Sequence, residues 1–156
     1  MFKNILVPLD GSELAAKILP QVVELSKTFN AQVTVLHVCH TEGFGVGEAT
    51  PGVMAAAPAA EQKVCEAFLS KAGNDLKSQG VNVSWACMEG EPAREIIAYA
   101  AKNNVDLIAM ATHGKGEVAW VLGSTAEKVV SHATVPVLLF RVMEFKPPLL
   151  KEEFFL

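Results

Sequence analysis

The chain has 156 residues, 51% hydrophobic and 19% charged, with 17 acidic against 13 basic side chains and a net charge of −4. That size and apolar content fit one globular domain with a sizeable core and leave no room for a second. The basic residues are dispersed, which excludes the positive face of a nucleic-acid binder, and no apolar stretch reaches the eighteen or so residues of a membrane span.

Ile5-Leu-Val7 is a short β-type run, reached from Met1 without the apolar core of a signal peptide, and Asp10-Gly-Ser12 closes it with turn chemistry. Leu14, Ile18, Val22, Leu25 and Phe29 recur at spacings of four and three. They mark one buried helix face, in which Pro20 forces a kink or a late start. Gln32 to Val38 is rich in β-branched residues and reads as the second strand. Periodicity then lapses among Gly43, Gly45, Gly47, Pro51, Gly52 and Pro58, so residues 41–58 are expected to form a long flexible loop. Within it, Gly43-Phe-Gly-Val-Gly47 imitates a dinucleotide fingerprint but neither follows a strand directly nor opens a helix.

Val64, Phe68, Ala72 and Leu76 resume a helical stripe that Gly80 ends, and Val81 to Trp85 alternates as a strand. Glu91-Pro92 opens a helix with Ile96, Ile97, Ala100 and Ala101 inward, ended by Asn103-Asn104. Asp106 to Met110 carries the apolar run of a strand buried on both faces of a parallel sheet. Ser124-Thr-Ala-Glu127 has capping-box spacing and opens a helix with Val129 and Val130 inward, and Pro136 to Phe140 is the last strand. Strands and helices alternate throughout. The expected fold is therefore a single-domain α/β, doubly wound five-stranded parallel sheet with helices on both faces. Cys39, Cys65 and Cys87 are far apart and form no Cys-x-x-Cys. They read as small apolar core residues rather than a disulfide framework or a zinc site, in a reducing, cytoplasmic setting.

Ligands of such sheets bind at the carboxyl ends of the strands, where the strand order reverses. With the first and fourth strands flanking that reversal, Asp10-Gly-Ser12 and the Ala111–Gly123 loop face one crevice. The second segment is an anion cradle in outline. A strand feeds Gly114 and Gly116, and Gly123-Ser-Thr125 then meets a helix start, whose unpaired N–H groups and dipole favour phosphate. Plainer readings stand beside this one: Ser124 as an N-cap with Glu127 as partner, Asp10-Gly-Ser as an ordinary turn, His113 and Lys115 as solvated loop side chains. Lys115 belongs to no Gly-x-x-x-x-Gly-Lys-Ser/Thr sequence, which disfavours a Walker-type NTPase. His37 and His40 have no metal-ligand spacing with His113, so no metal site is expected. The chain has no Gly-x-Ser-x-Gly elbow and no paired carboxylates near the loop. It reads as a non-enzyme, with slow ATP hydrolysis left open.

Ile5-Leu-Val-Pro-Leu-Asp-Gly-Ser12, Val33 to Val38, Gly90-Glu-Pro92, Thr112-His-Gly114, Leu122-Gly-Ser124 and Pro136-Val-Leu138 form an ordered set. Together they resemble the universal stress protein family, over a domain of residues 1–142. The resemblance implies a UspA-like, adenine nucleotide alpha hydrolase-like fold with strand order 3-2-1-4-5 and a homodimer formed through the last strand, Val137–Phe140. Many members bind ATP. In those, the aspartate after the first strand meets the nucleoside end, here Asp10, and the end of the second strand meets the adenine, here Val38. Their phosphate signature is Gly-x-x-Gly, nine residues, then Gly-Ser or Gly-Thr, matched by Gly114, Gly123 and Ser124 with Thr125 adjoining. The implied nucleotide site is Pro8, Asp10, Val38, Ala111, Thr112, Gly114, Gly123, Ser124 and Thr125, taking ATP alone or with Mg²⁺. Two departures stand out. Ala111 replaces the first signature glycine, adding a methyl group and resisting positive φ, and only eight residues separate Gly114 from Gly123.

Three functions follow. One is a nucleotide-binding stress regulator, whose ligand biases the Thr41–Ala57 loop and so a protein partner. Another is a nucleotide-independent dimeric module with a degenerate phosphate loop, and a third is a weak ATPase. The tail 143–156 carries Phe145, Leu149, Leu150, Phe154 and Phe155. It is expected to pack on its own domain or on the dimer partner, with Pro147-Pro148 excluding one continuous helix.

Overall fold

The computed structural model describes residues 1–40 and 51–143, with backbone alone for residues 51–60. The expectations for residues 41–50 and for the tail beyond Met143 lie outside the described residues. In chain order the elements are β1 (Asn4–Pro8), α1 (Glu13–Ala16), α2 (Leu19–Phe29), β2 (Gln32–His40), α3 (Pro51–Ser78) and β3 (Asn82–Gly90). They continue with α4 (Pro92–Lys102), β4 (Leu107–Ala111), α5 (Ser124–His132) and β5 (Val137–Phe140). All strand pairs are parallel and the sheet order is β3-β2-β1-β4-β5, the order the family resemblance implies. The reversal falls between β1 and β4, so the chain leaves both strands into the same crevice.

Period-two alternation builds a core on each face of the sheet. Ile5 and Val7 of β1, Val33 and Val35 of β2, and Leu107 and Ala109 of β4 face α2 and α3. Leu6, Leu36, Val38, Ile108 and Met110 face the opposite way, against Ile96 and Ala100 of α4 and Val129 of α5. Every residue of β4 is buried, as its unbroken apolar run demands.

Of the two outcomes expected at Pro20, the late start is the one found: α1 ends at Ala16, and Pro20 sits in the first turn of α2, where its missing N–H has no helical partner to lose. Other local expectations are corrected. Residues 51–58, expected as loop, form the start of α3. The alanines there are the strongest helix formers and outweigh Gly52 and Pro58. The buried stripe of α3 is Cys65, Leu69, Ala72 and Leu76, whereas Val64 is 70% exposed, so the inward face is rotated from the one expected. Ala101 and Val130 likewise face outward.

The cysteine reading also fails. Cys65 on α3 and Cys87 on β3 form a disulfide across 22 residues, with Cα atoms 6.4 Å apart. Sequence spacing hid the pair, because it is the packing of α3 over β3 that brings them together. The cysteines therefore give no argument for a reducing compartment. Cys39 is the free thiol, half-buried on β2. Among the described residues no helix is long and apolar enough to cross a membrane.

Candidate functional site

The carboxyl ends of β1, β2 and β4 open into a cavity of about 100 Å³. Seven of the nine expected site residues line it: Pro8, Asp10, Val38, Ala111, Thr112, Gly114 and Thr125. Its inner wall is apolar, with Leu36 and Val38 from β2, Met110 from β4 and Ile96 from α4. Gly123 and Ser124 are not part of that lining; they stand behind it at the head of α5.

Asp10 ties the two loops together. Its Oδ1 accepts from the Ser12 N–H at 2.9 Å and the Ser12 hydroxyl at 2.5 Å, and its Oδ2 accepts from the Lys115 N–H at 3.0 Å. Asp10-Gly-Ser12 is thus a turn, with Ser12 capping α1 through the Ala15 N–H, and also a clamp on the opposite loop. A side chain at Gly114 would run into the Asp10 carboxylate, so the close approach of these loops requires glycine. Gly123 is needed for a similar reason: a Cβ there would stand 2.8 Å from the Thr112 carbonyl, which accepts the Gly123 N–H at 3.0 Å.

The helix start differs from the capping box expected. Gly123 is the N-cap of α5 and has no side chain to offer, and Ser124 is the first helical residue. The acceptor for its amide is Glu117. One carboxylate oxygen, Oε2, accepts from the Ser124 N–H at 2.7 Å, and Oε1 accepts from the Gly114 N–H at 2.9 Å. The chain's own anion spans the cradle, at the end of a helix whose dipole favours negative charge. Sequence reasoning missed Glu117. Its signal was an acidic residue inside a loop otherwise shaped to hold an anion.

His113 is corrected from a solvated loop residue to a buried one, 3% exposed, with both ring nitrogens bonded. The Val121 carbonyl, 2.6 Å from Nε2, can only accept, so Nε2 carries a proton, and in the neutral ring Nδ1 accepts from the Thr112 hydroxyl at 2.8 Å. The Thr112 hydroxyl oxygen in turn accepts from the Val142 N–H at 3.4 Å. The ring pins the far end of the loop to β4. Lys115 is exposed, as its plainer reading had it. Ala111 ends β4 with no positive φ, so its methyl group causes no backbone strain. In the shortened loop the positive φ belongs to Gly116, at +78°.

With this geometry in place, the model of the Universal stress protein family matches residues 1–141. The chain belongs to that family. Universal stress protein MJ0531 of Methanocaldococcus jannaschii is 32% identical over 90% of this chain and 83% of its own length. YxiE of Bacillus subtilis is 31% identical over 90% of this chain and its full length. Among solved structures, that of Methanocaldococcus jannaschii MJ0577 superimposes with a TM-score of 0.82 at 27% identity, covering 93% of this chain and 99% of the other. Two complexes share the fold. One is a universal stress protein with cAMP, at TM-score 0.68 and 18% identity, covering 91% and 98%. The other is an Archaeoglobus fulgidus universal stress protein with dAMP, at 0.60 and 20%, covering 88% and 97%.

Asp10 also borders a second cavity of this universal stress protein. Together with Gly11 it forms one side of a pocket that reaches His37 and Cys39 on the α3 face of the sheet.

Proposed function

We propose that this universal stress protein binds an adenine nucleotide in the crevice between Asp10 and α5. In this reading it acts as a cytoplasmic regulator without chemistry of its own, read by a protein partner. The observation that carries the reading is the pair of amides, from Gly114 and Ser124, aimed from two separate segments at one anionic group. A phosphate is a stronger anion with more acceptor oxygens, and it would take the place of the Glu117 carboxylate. Moving Glu117 aside would also enlarge a cavity of about 100 Å³ towards the several hundred cubic ångströms of a typical ligand pocket (about 300 or more). The apolar wall around Val38 suits a flat base, and Asp10 is the residue that the family resemblance assigns to the nucleoside end. That cAMP and dAMP are held on the same fold in other universal stress proteins supports the adenine class. ATP, with Mg²⁺ balancing its charge, is the ligand this reading favours.

The same Glu117 favours a second reading. It satisfies both amides without any ligand, as a nucleotide-independent dimeric module would need.

The test begins with protein purified without added nucleotide, denatured, and its supernatant assayed for adenine absorbance and mass. A fluorescent ATP analogue is then titrated with and without Mg²⁺. The first reading expects a co-purifying nucleotide or micromolar-range binding, lost in Gly123→Val. A folded protein that binds nothing at millimolar ATP would overturn it in favour of the second.

A further inference from the structure

The α3 face of the sheet gathers another set of side chains. His37 and Cys39 are two residues apart on β2, so both point to the face that carries Val33 and Val35. Cys65 reaches the same place from α3. One donor atom from each of His37, Cys39 and Cys65 lies within 4.8 Å of the other two. The three border a surface cavity of about 460 Å³, with Glu61 and Phe68 on its rim. The Leu9 carbonyl can only accept, so its 2.8 Å contact with His37 Nδ1 places a proton on Nδ1. In the neutral ring the lone pair is then on Nε2, and a backbone carbonyl behind the other nitrogen is the support that metal-binding histidines characteristically have.

We propose that, once the Cys65–Cys87 disulfide is reduced, His37, Cys39 and Cys65 bind a soft divalent cation of the zinc type, with the fourth coordination position open to the cavity. Two thiolates and an imidazole are the donors that select zinc over magnesium or calcium. Sulfurs on a tetrahedral zinc stand roughly 3.8 Å apart, from Zn–S bonds of about 2.3 Å. Donors already within 4.8 Å therefore need to close by about 1 Å at most.

Disulfide and metal compete for one atom. In the oxidised chain Cys65 Sγ is bonded to Cys87 Sγ. A dithiol donor breaks that bond by delivering two electrons and two protons, leaving as its own disulfide and freeing both thiols. The cation then displaces one proton each from Cys39 and Cys65 into solvent. Oxidised and metal-bound forms exclude each other, so the site responds to redox state.

The full chain is titrated with Co²⁺ and then Zn²⁺, before and after reduction by a water-soluble phosphine, which takes up oxygen from water and leaves as its oxide. Thiolate-to-cobalt charge transfer is read in the near ultraviolet. The reduced protein is expected to take up one Co²⁺ per chain, displaced by Zn²⁺, with affinity at least about 100-fold above that of the oxidised protein. Cys87→Ser cannot form the disulfide and should bind Co²⁺ without reductant, whereas Cys39→Ser should lose the band while keeping its far-ultraviolet dichroism. A folded Cys87→Ser protein without the band, or a band that survives Cys39→Ser unchanged, overturns the proposal.

Discussion

The Glu117 carboxylate and the Ser124 amide lie 2.7 Å apart, so the first turn of α5 is satisfied by the chain's own anion. Ligand binding at this helix start is an exchange of anions. Glu117→Gln keeps the shape of the side chain and removes its charge, weakening a charge-assisted contact by about 1.4 kcal/mol or more. Affinity for an ATP analogue should rise about tenfold, and the unliganded melting temperature should fall by a few degrees (about 2–4 °C per kcal/mol). Unchanged affinity with a lowered melting temperature would show that phosphate does not take the place of Glu117.

His113 joins β4 to the far end of the loop through two hydrogen bonds in a buried position. His113→Ala should cost about 2–4 kcal/mol, combining a cavity with the loss of partners for Thr112 and Val121. Urea denaturation measures the cost, and faster amide exchange around Val121 would show that the loop has been released.

Glu91 caps α4, its carboxylate accepting from the Arg94 N–H at 2.8 Å with Lys128 Nζ 3.3 Å away. The Arg94 backbone bond, more than Lys128, holds the carboxyl below its usual range. A folded-state pKa below the unfolded one means stability that is present above the unfolded value and lost as pH falls through the folded one. At neutral pH Glu91→Ala should cost about 0.5–1 kcal/mol, the low end of capping losses because the side chain is 40% exposed. The gap between variant and parent should close in acid below the usual carboxylate range. Denaturation curves across that range test it, and a gap constant with pH would assign the loss to packing.

β5 is an edge strand with every residue half-buried. The Pro136 carbonyl accepts from the Ile108 N–H of β4 and the Phe140 carbonyl from the Thr112 N–H just after it, so alternation turns the backbone groups of Val137 and Leu139 outward. If a homodimer forms along this edge, as proposed from the family resemblance, Leu139→Pro removes an outward N–H and no bond to β4. Light scattering should then report a dimer for the parent and a monomer for the variant. A monomeric parent refutes the edge pairing.

The fold was legible because each strand and helix carried its own period: the apolar run of β4, the β-branched β2 and the Glu91-Pro92 helix start all lie where they were expected. Asp10 and Gly114 were legible as partners because strand order alone brings their loops together. Contacts between residues without a shared motif were hidden. Glu117 sits seven residues before the amide it caps, Cys65 and Cys87 meet only through packing, and His113 is buried by a loop whose path its sequence does not specify. In α3, alanine-rich sequence carries helix propensity but no apolar stripe, so residues 51–58 gave no period to read.

Asp10 borders the cavities on both faces of the sheet, and the neighbouring Leu9 carbonyl holds His37. The segment Leu9–Gly11 is therefore a partition, and its position enters the free energy of whatever sits on either side. If an occupant of one chamber displaces that partition, it changes affinity in the other chamber, and thermodynamic linkage makes the factor identical in both directions. A nucleotide titration of Cys87→Ser with and without Zn²⁺ would measure that coupling as a single ratio.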